Sequence, residues 1–505
     1  MSQQQKGASR VNRGAISHMT LTVEKIGGTS MSRANELLDT LFIGQRTGAD
    51  LYNRVFVVSA FGGITNLLLE HKKTGQSGVY ALFADADNDS GWMDALNAVA
   101  SEMIRVHGEI LSDGGDRERA DAFVRDRVEG ARACMIDLQR LCSYGHFRIE
   151  SQLMTLRELL SGLGEAHSAF VTTLLLNRNG VNARFIDLTG WRDDNQPDLA
   201  ERLTSAMSDV DVSRDLPIVT GYAQCREGLM SEYDRGYTEV VFAHLAASMQ
   251  ASEAIIHKEF HLSSADPKIV GLENVRQIGK TNYDVADQLS NLGMEAIHPN
   301  AAKILRQAHV PLRVMNAFDP GNPGTFIGPD AGVKGRVEMV TGLGVYAFEV
   351  FEPDMVGAKG YDAAILEALT RHKVWIVSKT SNANCITHWL NGSLKSIRRV
   401  ERDVAAKFPN ADITTRNLAL VSAIGSDMGG LSVMRRALQA LEEVKITPIA
   451  MQQGARRVDT QIIVEKEHME ATIKALHAAL IEGQADPLEL ADGGTSAAPR
   501  AIAAE

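Results

Sequence analysis

The sequence predicts an α/β fold with a mostly parallel sheet, followed by a smaller α/β unit that is repeated. The first prediction rests on a strand-like run, a glycine turn and a helix-like run, which occur in this order twice between Met19 and about residue 70. The second rests on the last third of the chain, where a similar order of strands and helices recurs about 70 residues later.

The first strand, turn and helix surround the stretch "KIGGTS". Met19, Leu21 and Val23 alternate with polar residues, which is the periodicity of a strand. Ser30 or Ser32 is expected to cap the helix that follows. Helical spacing relates the apolar residues Met31, Ala34, Leu37, Leu38, Leu41 and Phe42.

The second strand is "RVFVVSA", whose nearly continuous apolar character is typical of a strand covered on both faces. The turn "FGGITN" follows it, and a helix is expected from near Asn66. Residues from about 95 to 180 are predicted to be mainly helical. Further strands are predicted at "ARFIDL", "LPIVTGY", "AIIHKEF" and "LRVMNAF".

A segment rich in proline and glycine, "FDPGNPGTFIGP", predicts a domain boundary. Beyond it, two copies of a βαββαβ-like unit account for the recurring order of elements. The predicted organisation is a flexible arm at 1–18, an α/β domain at 19–330, a repeat region at 335–484 and a flexible tail at 485–505.

The composition excludes several classes of protein. The 505-residue chain is 44% hydrophobic and 23% charged, which is ordinary for a globular protein, and its net charge is -11. This charge argues against non-specific binding to nucleic acid or to an anionic membrane. The four cysteines form no CxxC pair, which favours free thiols in a reducing cytoplasm. We see no apolar run of about 18 residues, so no membrane span is expected.

"KIGGTS" is not a P-loop, because its lysine precedes the glycines, and it is not a dinucleotide fingerprint. Two interpretations stay open from the residues alone. Glycines that allow close backbone approach, a helix start and the charge of Lys25 favour a bound anion such as phosphate. The alternative is a tight turn with a purely structural role.

Four other motifs are weaker. "GLGVYA" imitates a dinucleotide fingerprint but continues as a strand. "DADNDSG" resembles the start of a calcium loop, although Ser90 and Leu96 occupy the required glycine and glutamate positions. "HKEFH" lacks the spacing of a zinc protease. In "DRGYTE", Arg235 could bind a carboxylate with two hydrogen bonds, or the segment could simply begin a helix.

Taken in order, these segments resemble the aspartokinases from about Leu21 to Leu480. The family's characteristic motifs correspond here to "KIGGTS", "VVSAFGGITN", the helical Gly164, Glu165 and Ser168, "DRGYTE", "HKEFHLSSADP", "GMEAIHP" and "VMNAFDPGNPGTFI".

The resemblance implies an amino-acid-kinase domain, a three-layer αβα sandwich, followed by two ferredoxin-like ACT units that regulate it. It also implies phosphorylation of the β-carboxylate of L-aspartate by ATP with Mg²⁺, inhibition by lysine or threonine at the ACT units, and a homo-oligomer. The product, 4-phospho-L-aspartate, would feed the biosynthesis of lysine, threonine, methionine or ectoine. The segment from Val57 to Phe83, with the altered nucleotide segment, resembles the ectoine-associated branch.

The same resemblance assigns roles to individual residues. Catalysis falls to Lys25, Glu165 and Arg235, and no side chain is assigned to a metal. Aspartate would contact Ser59, Thr65, Glu165, Arg235, Thr238 and Glu239. ATP would contact Lys25, Gly27, Gly28, Thr29, Ser30, His257, Lys258, Ser263, Asp266, Lys268 and Glu295. No general base is expected, since the attacking carboxylate has a reference pKa of about 3.9 and is ionised at neutral pH.

The chain departs from the family pattern at a few of these positions. Tyr237 replaces a glycine and Glu239 an aspartate, while His257 and Lys258 replace a Thr-Asp pair and Glu295 a lysine. The last two changes exchange an acid and a base, so we hypothesise that Lys258 and Glu295 lie near each other at the nucleotide. The alternatives are an amino-acid sensor with an inactive kinase domain and another carboxylate kinase of this fold.

Overall fold

The computed structural model describes residues 20–71, 74–85, 91–233, 236–292, 297–329, 332, 334–430 and 432–482. The chain divides between Ala254 and Ile255 into two compact units. The arm at 1–18 and the tail at 485–505, both predicted to be flexible, lie outside the described residues.

The first unit is an α/β structure around four parallel strands in the order β3-β4-β2-β1. All five residues of β2 and all five of β4 are buried, as expected for strands covered on both faces. Its elements are β1 (Thr22–Ile26), α1 (Gly28–Met31), α2 (Ala34–Leu37), β2 (Arg54–Val58), α3 (Ile64–Leu68), α4 (Val79–Ala84), α5 (Gly91–Ile110), α6 (Gly114–Ser143), α7 (Leu153–Arg178), β3 (Ala183–Ile186), α8 (Leu199–Met207), β4 (Leu216–Thr220), α9 (Leu229–Tyr233) and α10 (Tyr237–Ser248).

The predicted strand, turn and helix order is confirmed in both places, but the predicted cap of the first helix is wrong. The helix begins at Gly28, and Gly27 is its N-cap residue without a side-chain cap. Ser30 lies inside the helix and is buried. The helix can begin this early because residue 28 is a glycine: a Cβ atom there would lie 2.6 Å from the Ala60 carbonyl oxygen.

Helix α7 is the element against which the expectation of no membrane span can be examined. Among the described residues it is the one helix that is long and apolar enough to cross a membrane, by length and composition alone. Of the 18 residues in its most apolar stretch, 89% are buried inside the protein, as in the core helix of a globular domain.

The second unit contains two sheets. The first has the strand order β5-β7-β8-β6, with β7 and β8 antiparallel and β6 and β8 parallel. The second is antiparallel with the order β10-β11-β9-β12-β14-β13. The elements are β5 (Glu253–Lys258), which begins just before the division, α11 (Pro267–Val270), β6 (Lys280–Thr281), α12 (Tyr283–Asn291), α13 (Pro299–Gln307), β7 (Leu312–Asn316), β8 (Thr325–Ile327), β9 (Arg336–Phe351), α14 (Tyr361–Arg371), β10 (Trp375–Ser381), β11 (Cys385–Asn391), α15 (Leu394–Lys407), β12 (Asp412–Ser426), α16 (Val433–Glu443), β13 (Ala450–Gln453), β14 (Asp459–Glu465) and α17 (Met469–His477).

The predicted repeat of two βαββαβ-like units is confirmed. The first copy runs β9-α14-β10-β11-α15-β12, and the second runs β12-α16-β13-β14-α17 and is completed by β9. The first strands of the two copies, β9 and β12, pair along most of their length, from Phe351 opposite Asp412 to Arg336 opposite Ser426. The copies therefore share one six-stranded sheet, in which β11 pairs with β9 from Tyr346 to Phe351 and β14 pairs with β12 from Leu418 to Ile424. Each of the two long strands is the first strand of its own copy and the last strand of the other.

Candidate active site

Lys25 and the double glycine occupy the turn from β1 to α1. Gly27 ends the extended segment, and its carbonyl accepts from the Met31 N–H at 2.9 Å. Thr29 is exposed and Ser30 is buried. Thr29 therefore presents its side chain to solvent at the turn, whereas Ser30 belongs to the packed interior.

A second turn, between β2 and α3, is joined to the first. β1 and β2 are adjacent and parallel, with Lys25 in register with Val57, so both turns lie at the same edge of the sheet. The Gly62 N–H donates to the Ser32 hydroxyl at 2.8 Å. Together with the close approach of Gly28 to Ala60, this contact fixes the two turns against each other.

Lys25 forms an ion pair with Glu239 at the start of α10. The Lys25 Nζ lies 3.1 Å from the Glu239 Oε1, and the two side chains are only 11% and 13% exposed. Two residues 214 positions apart in the chain thus hold a mostly buried positive and negative group beside the glycine turn. Charges this well shielded from water interact more strongly than a surface pair.

Glu165, on α7, is 2% exposed. Its Oε1 accepts a hydrogen bond from the Thr238 hydroxyl at 3.1 Å, whereas its buried Oε2 has no hydrogen-bond partner among the described residues. Burial raises the pKa of Glu165 to about 8, although the hydrogen bond from Thr238, the nearby Tyr237 hydroxyl, the Lys25 charge and the nearby Tyr222 N–H act in the opposite direction. The unpartnered Oε2 of Glu165 can accept a hydrogen bond from a ligand. A ligand that donates from a cationic group would favour the ionised form of this carboxyl group.

Ser59 and Thr65 belong to the second turn. The Ser59 N–H donates to the Ile26 carbonyl at 3.1 Å, and its own carbonyl accepts from the Ser168 hydroxyl at 2.8 Å. Thr65 lies in the first turn of α3 and is half-buried. Ser168 is one helical turn from Glu165, so α7 both carries the buried carboxylate and holds the β2 end in place.

Three residues that the sequence did not assign to the site contact it. A Cβ atom on Gly221 would lie 2.6 Å from the Glu165 Oε2 and 2.4 Å from the Thr238 Cγ2, so only glycine fits there. Tyr237 packs edge to face on Tyr222 with ring centroids 5.5 Å apart. A glycine directly after a buried strand was the available signal for Gly221. Tyr237 was noted in the sequence only as a departure from the family pattern, and no local pattern indicated Tyr222.

The remaining predicted nucleotide residues belong to the second unit. His257 is buried in β5, and Lys258, the last residue of that strand, is half-buried. Ser263 is half-buried. Asp266 and Lys268 are exposed, and the Asp266 carboxylate accepts from the Lys268 N–H at 2.8 Å at the start of α11.

Two predicted site residues, Arg235 and Glu295, lie outside the described residues, as does most of "DADNDSG". The hypothesis that Lys258 and Glu295 lie together therefore stays a prediction. The other motifs have structural settings: "GLGVYA" lies within β9, and the His261 ring bonds Asp319 at 2.9 Å. Among the described residues, no three His, Cys, Asp or Glu side chains are placed to hold a metal.

Comparison with known proteins decides the family. The sequence model of the amino acid kinase family matches residues 20–316, more than half of the chain. A curated relative, "Aspartate kinase Ask_Ect" from Stutzerimonas stutzeri, is 51% identical over 463 residues, which cover 91% of this chain and 97% of that protein. The chain is a member of the aspartokinases.

More distant aspartokinases extend the comparison. The aspartokinase of Candida albicans is 24% identical over 515 residues, covering 91% of this chain and 90% of that protein. The crystal structure of E. coli aspartokinase III in complex with aspartate and ADP has a TM-score of 0.68 at 19% identity and covers 91% of this chain and 99% of that one. The same enzyme with lysine and aspartate has a TM-score of 0.67. These structures share the amino-acid-kinase and ACT fold predicted for this aspartokinase.

Proposed function

We propose that this aspartokinase transfers the γ-phosphoryl group of ATP to the β-carboxylate of L-aspartate at the site around Lys25 and Glu165. The observation that carries the proposal is the buried Glu165 carboxylate, which keeps one oxygen without a partner among the described residues. A buried polar atom without a partner is costly, so the site is suited to a ligand that supplies one.

The aspartate ammonium is the group we assign to the Glu165 Oε2. A cation at this oxygen would stabilise the ionised carboxylate and offset the burial that raises its pKa. Ser59, Thr65, Thr238 and Glu239 are proposed to line the rest of the aspartate site, and Arg235 is proposed to bind the α-carboxylate with two hydrogen bonds.

The glycine turn is proposed to hold the ATP phosphates. Gly27, Gly28, Thr29 and Ser30 would supply backbone N–H groups, and Lys25 would stabilise negative charge on the transferring group. The ion pair with Glu239 keeps the Lys25 ammonium close to the turn. His257, Lys258, Ser263, Asp266, Lys268 and Glu295 are proposed to contact the rest of the nucleotide.

The reaction needs no proton transfer. A β-carboxylate oxygen of aspartate attacks the γ-phosphorus, a new P–O bond forms, and the bond from that phosphorus to the β-phosphate oxygen breaks to release ADP. The protein then contributes alignment and charge neutralisation. Mg²⁺, bound mainly by the phosphates and water, would neutralise phosphate charge.

The proposed function also includes the division of the chain into domains, its regulation, its assembly and its pathway. We assign catalysis to 19–330 and regulation to 335–484, with lysine or threonine as the effector and a homo-oligomeric assembly in the cytoplasm. The suffix in the name of the relative from Stutzerimonas stutzeri supports the ectoine branch.

The direct test measures ADP release by the purified chain from Mg-ATP, with L-aspartate, with L-glutamate and without an acceptor. We expect release that depends on aspartate. Release with glutamate alone would identify another carboxylate kinase of this fold. Binding of amino acids without any ADP release would identify a sensor built on an inactive kinase domain.

A further inference from the structure

The segment 263–268, proposed to contact the nucleotide, has two faces. Asp266 and Lys268 are exposed, whereas Ser264 and Ala265 are 1% and 0% exposed. The backbone of Ser264 is fixed on both sides, because its N–H donates to the Arg276 carbonyl at 2.8 Å and its carbonyl accepts from the Val340 N–H at 2.8 Å. The buried face therefore determines where the exposed face lies.

The buried hydroxyl of Ser264 continues into a hydrogen-bonded chain that reaches the last helix. Ser264 Oγ lies 2.9 Å from His477 Nε2 on α17, and His477 Nδ1 lies 2.9 Å from the Glu482 carboxylate. His477 is fully buried. Ser264 and His477 are 213 positions apart in the chain.

The hydrogen bonds leave both ring nitrogens of His477 with a partner. Ser264 Oγ accepts from the Arg276 N–H at 3.0 Å and keeps its own hydrogen to donate to His477 Nε2. With that direction, His477 Nδ1 donates to the Glu482 carboxylate.

A serine, a histidine and a carboxylate in this order also occur in acyl-transfer enzymes. Ser264 is 1% exposed, however, and a substrate carbonyl cannot reach its hydroxyl. The arrangement is suited to fixing positions within the protein.

Apolar packing joins the same two segments. Ala265 and Val270 belong to one buried cluster with Ile473, Leu476 and Leu480. A second bond, from the Arg276 guanidinium to the Glu482 carbonyl at 2.8 Å, lies at the end of this helix. A shift of α17 would therefore displace the segment 263–268.

We propose that His477 is a positioning residue for ATP: through Ser264 it holds the segment 263–268 in the geometry that binds the nucleotide, so the last helix of the repeat region sets nucleotide affinity. The inference rests on the nucleotide role proposed above for Ser263, Asp266 and Lys268. Aspartate affinity is predicted to be independent of this contact.

Two substitutions of the same histidine separate its two bonds. In His477→Asn the amide nitrogen can still donate to Glu482 but cannot reach Ser264; in His477→Gln the longer side chain can still reach Ser264. We expect His477→Asn and Ser264→Ala each to raise the KM for ATP about 3- to 10-fold, the loss of one buried hydrogen bond. His477→Gln should stay within twofold of wild type, and kcat and the KM for aspartate should change little in all three.

Thr472→Val is the matched control on the same helix. Thr472 is fully buried, and its hydroxyl has no partner among the described residues, so the isosteric change disturbs α17 without breaking a bond. Its KM for ATP should equal that of wild type. The inference is overturned if His477→Asn and Ser264→Ala leave the KM for ATP unchanged, or if the KM values for both substrates rise together.

A wild-type chain that releases no ADP with aspartate would contradict the proposed function instead. Calorimetric titration with ATP then still decides the role of His477, because the Kd of His477→Asn should exceed that of Thr472→Val. Equal Kd values for these two variants would overturn the inference.

Discussion

The aspartate side of the proposed site and its nucleotide segment are built differently. Lys25, Glu165, Thr238 and Glu239 come from three distant parts of the chain and are largely buried, and each contacts another member of the group. Asp266 and Lys268 are neighbours in sequence and are exposed. A substitution in the buried group around Lys25 and Glu165 changes the local charge, the packing and the bonding of a neighbouring side chain together. A substitution of the exposed Asp266 or Lys268 removes mainly one contact. The predicted effects therefore differ in size.

Lys25→Ala should have the largest effect on activity among substitutions in the buried group of Lys25, Glu165, Thr238 and Glu239. We expect kcat to fall about 10²- to 10³-fold, because a preorganised charge near the transferring group is lost and Glu239 loses its ionic partner. The measurement is steady-state ADP release at saturating ATP and aspartate. Lys395→Ala removes an exposed lysine from α15 and should leave kcat unchanged. A comparable kcat in both variants would contradict the role of Lys25.

Glu165→Gln keeps the shape of the side chain and removes its charge. We expect the kcat/KM for aspartate to fall about 10- to 100-fold, since a charged hydrogen bond to the ammonium is lost. The variant should also differ from wild type in how its free energy of unfolding depends on pH. The pKa of Glu165 is raised on folding, so the folded protein holds this proton more tightly than the unfolded chain.

The wild-type protein should therefore lose stability relative to Glu165→Gln as the pH rises from about 4.5 to about 8. Urea unfolding of both proteins at several pH values measures this difference. A constant difference in the free energy of unfolding across this range would show that Glu165 titrates normally.

The same pKa predicts how substrate affinity depends on pH. In the proposed site the aspartate ammonium binds the ionised Glu165, so the KM for aspartate is predicted to fall as the pH rises towards 8 and to change about tenfold per pH unit well below it. Tyr237→Phe removes a hydroxyl that favours the ionised form of Glu165 and should move this profile to higher pH. Profiles of kcat/KM from pH 6 to 8.5 test both points, and a flat profile would contradict them.

Gly221→Ala tests how tightly this region is packed. The added Cβ atom would meet Thr238, Glu165 and the Val58 carbonyl at 2.4 to 2.8 Å, so we expect a loss of about 1–3 kcal/mol of stability and a reduced kcat/KM. Gly108→Ala, inside α5 with no atom within 4 Å of the new Cβ, should instead stabilise the protein by about 0.5–1 kcal/mol. Urea unfolding compares the two, and equal stabilities would show that the site can relax around the extra methyl group.

Lys268→Ala should have the smallest effect. Lys268 is exposed, so we expect the KM for ATP to rise only about 3- to 5-fold, with unchanged stability and an unchanged KM for aspartate. Initial rates at varied ATP measure the change. A loss as large as that of Lys25→Ala would mean that the two regions do not differ as described.

The sequence alone determined the local elements of this protein: the glycine turn after β1, the buried strand β2, the long helices and the βαββαβ repeat. These features depend on neighbours in the chain, through side-chain periodicity and the freedom of glycine. The order of motifs was also sufficient to predict the aspartokinase family and the residues proposed for its site.

Only the tertiary structure decided which distant residues meet. The ion pair of Lys25 with Glu239, the bond of Thr238 to Glu165 and the bond of Ser264 to His477 join residues 214, 73 and 213 positions apart. The raised pKa of Glu165 and the glycine required at 221 likewise depend on what packs around them. Burial and the distance between remote side chains arise only when the strands and helices pack, so no local pattern encodes them.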